Sequence, residues 1–287
     1  MSTFERPTIA SRRELEQLLA EDAPYGDLTT ETLGLGAVIG EMSFVARDPM
    51  VLALAEDAAA LTALAGAQVE LHAASGSTLA AGERILTARG PADALLRAWK
   101  TAQTLIEIWS GVATAAREIV DAAREVSPEV VVACTRKTAP GTRLFAHAAI
   151  KAGGAVAHRL GLSETLLVFP EHLAFIPGTP LAEVAALLAR TAPEKKRIIE
   201  VTSVDAALEA AEAGFDVVQT EKFAPEQIAA LVGRLQLKPL RPVIAAAGGI
   251  KASNAAAYAA AGADVLVTSA PYLAPPRDVQ VKIALLA

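Results

Sequence analysis

The pattern of apolar and polar positions is irregular in the first part of the chain. A helix is predicted at Ser11–Ala20, where Ser11 and Glu14 form a capping box. A second helix, at Ala53–Ala65, lies among apolar stretches that are typical of strands. The strand-like stretches are Gly40–Ala46, Val69–Ala73 and Arg84–Ala88. Because strands and helices do not alternate regularly here, this part predicts an α+β sandwich.

Helical periodicity then runs from Ala92 to Val126. Ser110 and Gly111 interrupt it, and both residues are weaker helix formers than the alanines around them. We therefore expect one helix to end at this point and another to begin. A domain boundary is placed there, so that the first domain covers residues 1–110.

From residue 130 onward, strands alternate with helices. The sequence pattern at Ala213–Val218 recurs at Ala261–Leu266. Each copy contains the end of a predicted helix, an Ala-Gly-x-Asp turn and the start of a predicted strand. Such repeated units predict a (β/α) barrel with parallel strands, whose functional groups lie at the C-terminal strand ends. The predicted strands are Val130–Ala133, Ile198–Val201, Asp216–Thr220, Val243–Ala246 and Val265–Thr268.

Three helices of this second part have candidate N-caps. Thr142 precedes a helix predicted at 143–151, and Ser203 or Asp205 precedes one at 206–213. Ser253 or Asn254 is expected to cap the helix that follows the strand at 243–246.

Basic side chains lie next to two of the predicted strand ends. Arg136 and Lys137 directly follow the first strand, and His158 and Arg159 lie on a later loop. An isolated Arg-Lys pair is most often a solvated loop, but two such pairs near glycine-marked strand ends favour a binding site. The net charge is −6. A cationic cluster within an acidic chain indicates a small anionic ligand, since nucleic acid would require a broad basic face.

Two carboxylates are predicted at neighbouring strand ends, those of Glu200 and Glu221. They suit coordination of Mg²⁺, which prefers oxygen ligands and commonly arrives with substrate phosphates. They equally suit acid–base chemistry. A third interpretation is charge balance for the basic cluster.

A glycine pair marks another strand end. Gly248 and Gly249 open a helix, where free backbone amides and the helix dipole suit a phosphate. The alternative is a glycine pair required for packing. A second turn, at Thr268 and Ser269, favours the phosphate interpretation. Cations, carboxylates and an amide turn together describe a site for phosphoribosyl pyrophosphate, from which pyrophosphate departs as an aromatic nitrogen attacks the sugar.

The segments CTRKTAPGTR (134–143) and GGAVAHRLGLSETLLVF (153–169) resemble the quinolinate phosphoribosyltransferase superfamily, whose motif reads DTRKTxPG…GG…NHRxGLxD. The similarity extends from about Leu15 to the C-terminus. It is greatest to the ModD pyrophosphorylase branch, in RAWKTAQ, AGGAVAHRLGLSET and VTSAPY. The resemblance implies an α/β fold with an N-terminal α+β sandwich (1–110) and an incomplete (β/α) barrel (111–272). A C-terminal segment (273–287) would return to the first domain.

The resemblance also implies a role for each residue that occupies one of the family's site positions, whether it matches the family's residue or replaces it. Lys137, Glu200 and Glu221 are implied as catalytic, and the two glutamates also as Mg²⁺ ligands. The implied substrate-binding residues are Lys100, Thr135, Arg136, His158, Arg159 and Phe169. The implied phosphate-binding residues are Ala247, Gly248, Gly249, Thr268 and Ser269.

The family's pattern is altered at Ala245, where it usually has Glu, at Ser269, where it usually has Gly, and in two segments that concern the acceptor. Trp99 and Lys100 stand where the family has Glu-Arg, whose Arg reaches the substrate of the neighbouring subunit. This implies a homodimer with shared sites, or a higher oligomer. The family's LIKDN reads LVFPE at 167–171, so Phe169 replaces a Lys that contacts the acceptor's carboxylate. The phosphoribosyl half of the site is thus retained, whereas the acceptor half is altered.

The composition of the chain indicates the cellular compartment in which the protein is expected. One cysteine excludes an intrachain disulfide and favours a reducing environment. That residue, Cys134, is more typical of a packed strand end than of a nucleophile. The first residues carry charges and no apolar core of a signal peptide, and no apolar run reaches membrane-spanning length. A cytoplasmic protein without membrane or nucleic-acid partners is expected.

The expected function is that of a ModD-like pyrophosphorylase. It would transfer phosphoribosyl from phosphoribosyl pyrophosphate, with Mg²⁺, to a planar heteroaromatic acid. One alternative is an authentic quinolinate phosphoribosyltransferase of NAD biosynthesis. The other is a binding or regulatory protein that has kept the phosphate cradle without turnover.

Overall fold

The computed structural model describes residues 7–286 and contains two compact units. The first unit runs to Arg117 and includes Ala139–Gly154 and the chain from Pro271; the second comprises Glu118–Thr138 and Ala155–Ala270. The helices are α1 (Arg12–Asp22), α2 (Leu28–Thr32), α3 (Ala55–Leu64), α4 (Ala92–Arg124), α5 (Arg143–Ala152), α6 (Pro170–Leu173), α7 (Leu181–Thr191), α8 (Val204–Glu212), α9 (Pro225–Gln236) and α10 (Ala252–Ala260).

The strands are β1 (Ile39–Ala46), β2 (Met50–Val51), β3 (Gln68–Leu71), β4 (Thr78–Leu79), β5 (Arg84–Pro91), β6 (Val131–Cys134), β7 (Val156–Ala157), β8 (Leu166–Val168), β9 (Arg197–Val201), β10 (Val217–Glu221), β11 (Val243–Ala247), β12 (Val265–Thr268) and β13 (Val279–Leu285).

The first unit is built on a four-stranded antiparallel sheet in the order β13-β1-β5-β3. Alternate residues of β1 are buried, among them Met42 and Phe44, and they pack with Leu61 of α3 and Leu95 of α4. One face of the sheet is thus covered by helices, which confirms the α+β architecture expected from the sequence. The last strand, β13, pairs with β1 along its length, from Gly40–Leu285 to Ala46–Val279.

Helix α4 passes without interruption through Ser110 and Gly111, so the predicted helix break at these residues is wrong. Ser110 is buried, and its hydroxyl accepts a hydrogen bond of 3.0 Å from the Ala53 N–H. At Gly111 a β-carbon would lie 2.2 Å from the carbonyl oxygen of Pro275. Both small residues therefore serve close packing on the helix surface, where a larger side chain would collide, and neither marks a helix end.

The second unit is built on a seven-stranded sheet in the order β7-β6-β12-β11-β10-β9-β8, in which every pairing is parallel. The expected parallel, incomplete barrel is confirmed. The repeated Ala-Gly-x-Asp turn has a structural reason. The carboxylate of Asp216 accepts the N–H of Arg197, and the carboxylate of Asp264 accepts the N–H of Ile244. Each aspartate thereby ties its own strand to the start of a neighbouring strand.

The predicted helix starts are right in part. Ser11 caps α1 with the capping box to Glu14, and the Ser203 hydroxyl caps α8. Thr142 occupies the cap position of α5, but its hydroxyl donates to the Ala139 carbonyl and caps nothing. Helix α10 begins earlier than predicted, after Lys251. Asn254 therefore sits inside the first turn, where it accepts the Lys251 N–H and donates to the Gly249 carbonyl.

Asp57 is a buried carboxylate in α3 that holds the chain ahead of α1. It is 1% exposed and accepts hydrogen bonds from the N–H groups of Ile9 and Ala10, at 3.0 and 2.8 Å. Burial raises the pKa of Asp57 more than these hydrogen bonds lower it. The folded protein therefore holds this proton more tightly than the unfolded chain does, and the ionised group weakens the folded state.

The variant Asp57→Asn is accordingly expected to gain stability relative to the wild type as the pH rises above about 4, the ordinary pKa of an aspartate, because folding must then hold a proton that the unfolded chain has lost or bury the ionised group. Urea unfolding at several pH values measures the difference. Glu70→Gln, at an exposed carboxylate of β3, is the control and should show no such trend. A pH-independent difference for Asp57→Asn would contradict the assignment.

Within residues 7–286, no helix combines the length and the apolar composition that crossing a membrane requires.

Candidate active site

The predicted site residues of the second unit all lie at the C-terminal ends of its parallel strands. Thr135, Arg136 and Lys137 follow β6, His158 and Arg159 follow β7, and Phe169 follows β8. Glu200 lies near the end of β9 and Glu221 ends β10. Ala247 and Thr268 end β11 and β12, and Gly248, Gly249 and Ser269 follow them. Since carboxyl ends of parallel strands meet at one edge, the fold gathers these residues as the sequence predicted.

Arg159 is a buried cation, 7% exposed. No carboxylate of residues 7–286 forms an ion pair with Arg159 or with Arg136. Burial, followed by the charge of Arg136, lowers the pKa of Arg159. A buried guanidinium beside a like charge is costly unless an anion compensates it, so this pair is suited to bind a carboxylate or phosphate.

His158 contributes a neutral imidazole. Its backbone N–H donates to the Cys134 carbonyl at 2.8 Å, in register with the β6–β7 pairing. Burial first, then the charges of Arg159 and Arg136, lowers the pKa of His158. At neutral pH the ring is therefore uncharged, and it can donate or accept one hydrogen bond without adding a third cation.

Cys134 is a packing residue. It is 1% exposed at the end of β6, and burial raises the pKa of its thiol to about 12. A thiol with that pKa carries almost no thiolate at neutral pH and is a poor nucleophile.

Glu200 and Glu221 lie at the ends of neighbouring strands. Gln219, which pairs with Glu200 in register, donates from its Nε2 to the Glu200 carboxylate at 2.6 Å. Burial raises the pKa of Glu200, Gln219 opposes that effect, and the charges of Glu221 and Glu171 add to it. Lys137 lowers the same pKa. These effects identify an acidic cluster formed by Glu171, Glu200 and Glu221, with Lys137 near Glu200.

A divalent cation fits this cluster as a partner shared with a substrate. Among the described residues, no group of three or more His, Cys, Asp or Glu side chains is arranged to hold a metal by itself. Mg²⁺, however, is commonly held by one or two carboxylates together with substrate phosphates. The Gln219 Oε1 atom is buried and has no hydrogen-bond partner in the described part of the chain. This unsatisfied oxygen and the two carboxylates suit coordination of a hard cation. They equally suit a hydroxyl group that donates hydrogen bonds to them.

The turn after β11 has the backbone of a phosphate cradle. Gly248 and Gly249 have φ angles of +92° and +76°, which favour glycine. A β-carbon on Gly248 would lie 2.7 Å from Lys222 Cγ and 3.0 Å from the Lys222 N, whereas nothing lies within 4 Å of one on Gly249. The chain is therefore tightly packed on one side of the turn and open on the other, ahead of the N-terminus of α10.

The hydroxyl groups at the neighbouring strand ends bond to one another and to the backbone. The Thr135 and Ser269 hydroxyls share a hydrogen bond of 2.6 Å, and Thr135 also accepts the Lys137 N–H. The buried Thr268 hydroxyl donates to the Ile250 carbonyl and accepts the N–H of Ala270. Thr268 thus positions the loops by internal bonds, and its role as a phosphate ligand stays a prediction.

Phe169 lines a cavity of about 940 Å³ together with Arg136, Arg159 and His172. The Arg159 guanidinium lies over the Phe169 ring, 5.5 Å from its centroid, and the His172 ring stacks on the same residue with 5.9 Å between centroids. The Phe169 N–H donates to His172 Nδ1 at 2.9 Å, which fixes the His172 ring against Phe169. Phe169 is therefore a wall of the cavity and not a residue of the interior.

Lys100 lies on α4 in the first unit and is exposed. Its Nζ donates to the Gln103 side chain at 3.0 Å and lies 4.2 Å from the ring centroid of Trp99. Its contact with a substrate stays a prediction.

Four residues near the site were not predicted as part of it: Glu171, His172, Gln219 and Lys222. Lys222 has a positive φ of 58°, uncommon for a residue with a side chain, and its Nζ lies 3.9 Å from a Glu221 oxygen. Only its position directly after Glu221 could have indicated it. Glu171 ends the altered LVFPE segment and His172 directly follows it, and the resemblance assigned neither of them a role.

Comparison with known proteins identifies the family. The family model of the quinolinate phosphoribosyl transferase N-terminal domain matches residues 27–110, and that of its C-terminal domain matches residues 112–282. A protein of Rhodobacter capsulatus with the provisional name pyrophosphorylase ModD is 50% identical over 242 residues, 84% of this chain and 93% of that protein. The nicotinate-nucleotide pyrophosphorylase (carboxylating) of Mycobacterium leprae is 32% identical over 269 residues, 91% of this chain and 92% of that protein.

Among solved structures, NadC from Streptococcus pyogenes superimposes with a TM-score of 0.87 at 25% identity, and the match covers 96% of each chain. The names of the two sequence relatives are those of pentosyltransferases, the enzyme class expected from the sequence. The chain belongs to the quinolinate phosphoribosyltransferase family.

Proposed function

We propose that this protein transfers the 5-phosphoribosyl group of phosphoribosyl pyrophosphate to the ring nitrogen of a planar aromatic acid and releases pyrophosphate. One observation carries the proposal: two arginines that form no ion pair within the described chain, an acidic cluster and an open glycine turn occupy the same edge of one parallel sheet. Each group suits a different part of the two substrates. The proposal is supported by the names of the relatives, which are pyrophosphorylases.

The 5-phosphate is assigned to the Gly248–Gly249 turn. The open side of Gly249 and the N-terminus of α10 supply backbone N–H groups and a favourable dipole. Ala247 precedes the turn, and Thr268 and Ser269 border it from the next strand. No side-chain cation is needed at this position, because a phosphate monoester can be bound by amides alone.

The ribose and pyrophosphate are assigned to Lys137 and the two glutamates. Glu200 and Glu221 would hold Mg²⁺ together with oxygens of the bound pyrophosphate group. When bound, the ion neutralises charge that develops on the departing pyrophosphate. Lys137, which already interacts electrostatically with Glu200, adds a positive charge at the same place.

The reaction itself requires little more than this placement. The bond from the anomeric carbon to the pyrophosphate oxygen breaks, and its electron pair leaves with pyrophosphate. The ring nitrogen donates its lone pair to the same carbon, through an oxocarbenium-like state in which the ribose carries positive charge. Ionised Glu200 or Glu221 stabilises that charge, and fixed positions for both substrates lower the entropic cost of their encounter.

The acceptor's carboxylate is assigned to Arg136 and Arg159, with the ring against Phe169. An anion there would compensate the buried Arg159 charge, and the apolar ring of Phe169 offers a stacking surface. His158, neutral beside the two arginines, is left to donate or accept one hydrogen bond. Phe169 supplies no charge for a second carboxylate, so a monocarboxylate fits this wall better than a dicarboxylate does.

Quinolinate phosphoribosyl transfer is the second candidate. It is favoured by relatives named nicotinate-nucleotide pyrophosphorylase (carboxylating) that align over most of the chain, as in Mycobacterium leprae. Arg136, Arg159 and Lys137 provide three positive charges on one sheet edge, which a dicarboxylate could share. Under this candidate the enzyme would turn over pyridine-2,3-dicarboxylate as efficiently as any other ring acid.

Pyrophosphate release and thermal unfolding test the function. Phosphoribosyl pyrophosphate with Mg²⁺ is expected to raise the melting temperature, because a ligand at 100 times its Kd adds about 2.7 kcal/mol to the folded state. Ring acids are then supplied one at a time and pyrophosphate is measured. No melting shift at millimolar ligand would end the phosphoribosyl assignment. A shift without pyrophosphate for any acid would favour the non-catalytic alternative.

The proposed assembly is a homodimer in which Lys100 of one chain completes the site of the other. Lys100 is exposed and occupies the position of a family Arg that reaches across the subunit interface. Mixing Lys100→Ala chains with Arg136→Ala chains, after unfolding and refolding together, is expected to restore activity. Up to about a quarter of all sites would then carry neither change, since a hybrid dimer has one intact site. A mixture as inactive as its two parents would contradict shared sites.

A further inference from the structure

The cavity beside Phe169 extends well past the residues assigned to the acceptor's carboxylate. Its volume of about 940 Å³ lies near the upper end of the range for small-molecule sites, which is roughly 300–1,000 Å³. One end is formed by Arg136, Arg159, Phe169 and His172. The remainder continues along β8 to helix α7. A single pyridine ring with its carboxylate would therefore leave much of the space to water.

The distant part of the cavity is apolar. Leu162, Ile176 and Leu187 line it from the loop before β8, the segment after α6 and helix α7. They are 73%, 42% and 53% exposed, so they present their apolar surfaces to the space of the cavity rather than to the protein interior. Concave surfaces lined with exposed aliphatic side chains mark binding sites, because water gains freedom when an apolar group replaces it.

The net charge of the cavity lining is positive and comes from its inner end. That end carries Arg136 and Arg159, which have no ion-pair partner among residues 7–286, and Arg159 is buried. Glu183 and Arg190, which lie on α7 on either side of Leu187 in sequence, have opposite charges, so α7 adds no net charge to the lining. A molecule that complements this distribution has one anionic group at its inner end and an apolar body extending outward.

We infer that the acceptor is a heteroaromatic monocarboxylate that carries an apolar extension of at least one further ring. The inference rests on the proposed function, since it names the substrate class of the same site. Its carboxylate binds Arg136 and Arg159, its nitrogen-containing ring lies against Phe169, and its extension packs on Leu162, Ile176 and Leu187. Phe169 then forms one wall of a site long enough for two fused rings. Where the family has a cation, this chain thus has a surface on which the acceptor ring stacks.

A matched pair of acids tests the inference. Isoquinoline-4-carboxylate is nicotinate with a fused benzene ring on the side away from the ring nitrogen, which stays free to react. Isothermal titration of the protein is expected to give at least tenfold tighter binding for the fused acid than for nicotinate, about 1.4 kcal/mol. The ratio of kcat/KM with phosphoribosyl pyrophosphate should change in the same direction. Equal affinities, tighter binding of nicotinate, or no binding of the fused acid would overturn the inference.

The variant Leu187→Glu locates the extension. It places a charge in the apolar part and should reduce binding of the fused acid at least tenfold while leaving nicotinate within about twofold. Leu237→Glu is the matched control, because Leu237 is 87% exposed on the same unit and does not line the cavity. Leu237→Glu should change the binding of neither acid. Circular dichroism and melting temperature establish that both variants are folded.

The outcomes separate the inference from the proposed function. If phosphoribosyl pyrophosphate stabilises the protein and nicotinate is turned over as well as the fused acid, the function holds and the extended acceptor is wrong. If the fused acid binds and responds to Leu187→Glu but pyrophosphate is never released, the acceptor class holds and the transferase is wrong. If Leu187→Glu changes only the sedimentation behaviour, the apolar wall is a contact between copies of the chain and the inference fails.

Discussion

Gly248→Ala is expected to lower kcat/KM for phosphoribosyl transfer about 100-fold or more. A methyl group at this position would lie 2.7 Å from Lys222 Cγ, 3.0 Å from the Lys222 N and 3.2 Å from the Glu221 carboxylate. The strand end must therefore move, and it carries both the phosphate turn and Glu221. A displacement of about 1 Å in a positioning element costs on the order of 100-fold in rate. Steady-state kinetics with varied phosphoribosyl pyrophosphate measures the effect.

The control for Gly248→Ala is Gly214→Ala. Gly214 has nearly the same φ, +89° against +92°, and lies in the turn between α8 and β10, where no atom is within 4 Å of an added β-carbon. Both variants carry a similar backbone strain, on the order of 1 kcal/mol. Gly214→Ala should lose that stability and keep wild-type activity. If the two variants lost activity equally, or if Gly248→Ala kept it, the glycine turn would not be the phosphate site.

Arg159→Met is expected to separate stability from function. The methionine keeps an apolar stem of similar length but removes a buried charge that has no carboxylate partner in the described chain. The free energy of unfolding should stay unchanged or rise, because the folded protein no longer holds an uncompensated cation. Loss of a charge-assisted pair with the acceptor costs about 2–5 kcal/mol, so KM for the acceptor should rise about 30-fold or more.

Two further variants serve as a partial rescue and as a control for Arg159→Met. Arg159→Lys keeps the charge without the planar fork, and it should recover part of the acceptor affinity. Arg234→Met removes an exposed arginine that pairs with Asp205 at 2.8 Å, and it should change stability by no more than about 0.5 kcal/mol and activity not at all. A large loss of stability in Arg159→Met with an unchanged acceptor KM would show that Arg159 is a structural residue.

The parallel sheet and its strand ends could be predicted because they are encoded locally. The two Ala-Gly-x-Asp turns each end a helix and begin a strand, and Asp216 and Asp264 then fix the strand to its neighbour. Glu200, Glu221 and the Gly248–Gly249 turn follow from their places at strand ends. Their gathering requires only that parallel strands share a direction.

The helix break predicted at Ser110 and Gly111 was wrong because propensity was read without tertiary contacts. The weak helix formers are required by Ala53 and Pro275, which are distant in sequence. The neutral state of His158 was likewise not predictable, since it depends on burial and on Arg136, which follows a different strand, as well as on the adjacent Arg159. Gln219 and Lys222 owe their positions to strand register and to a strained φ, neither of which is visible in the residue types.

The pairing of β13 with β1 has a consequence for how the protein is made. Strand β1 is synthesised before the parallel sheet, yet one of its two neighbours in its own sheet, Val279–Leu285, is synthesised after the parallel sheet. The nascent first unit thus carries an open strand edge with apolar residues while the whole parallel sheet is being translated. Closing so long a loop is slow, and unpaired edges are sites of aggregation. The four-stranded sheet of the first unit can therefore be completed only after all strands of the parallel sheet have been synthesised.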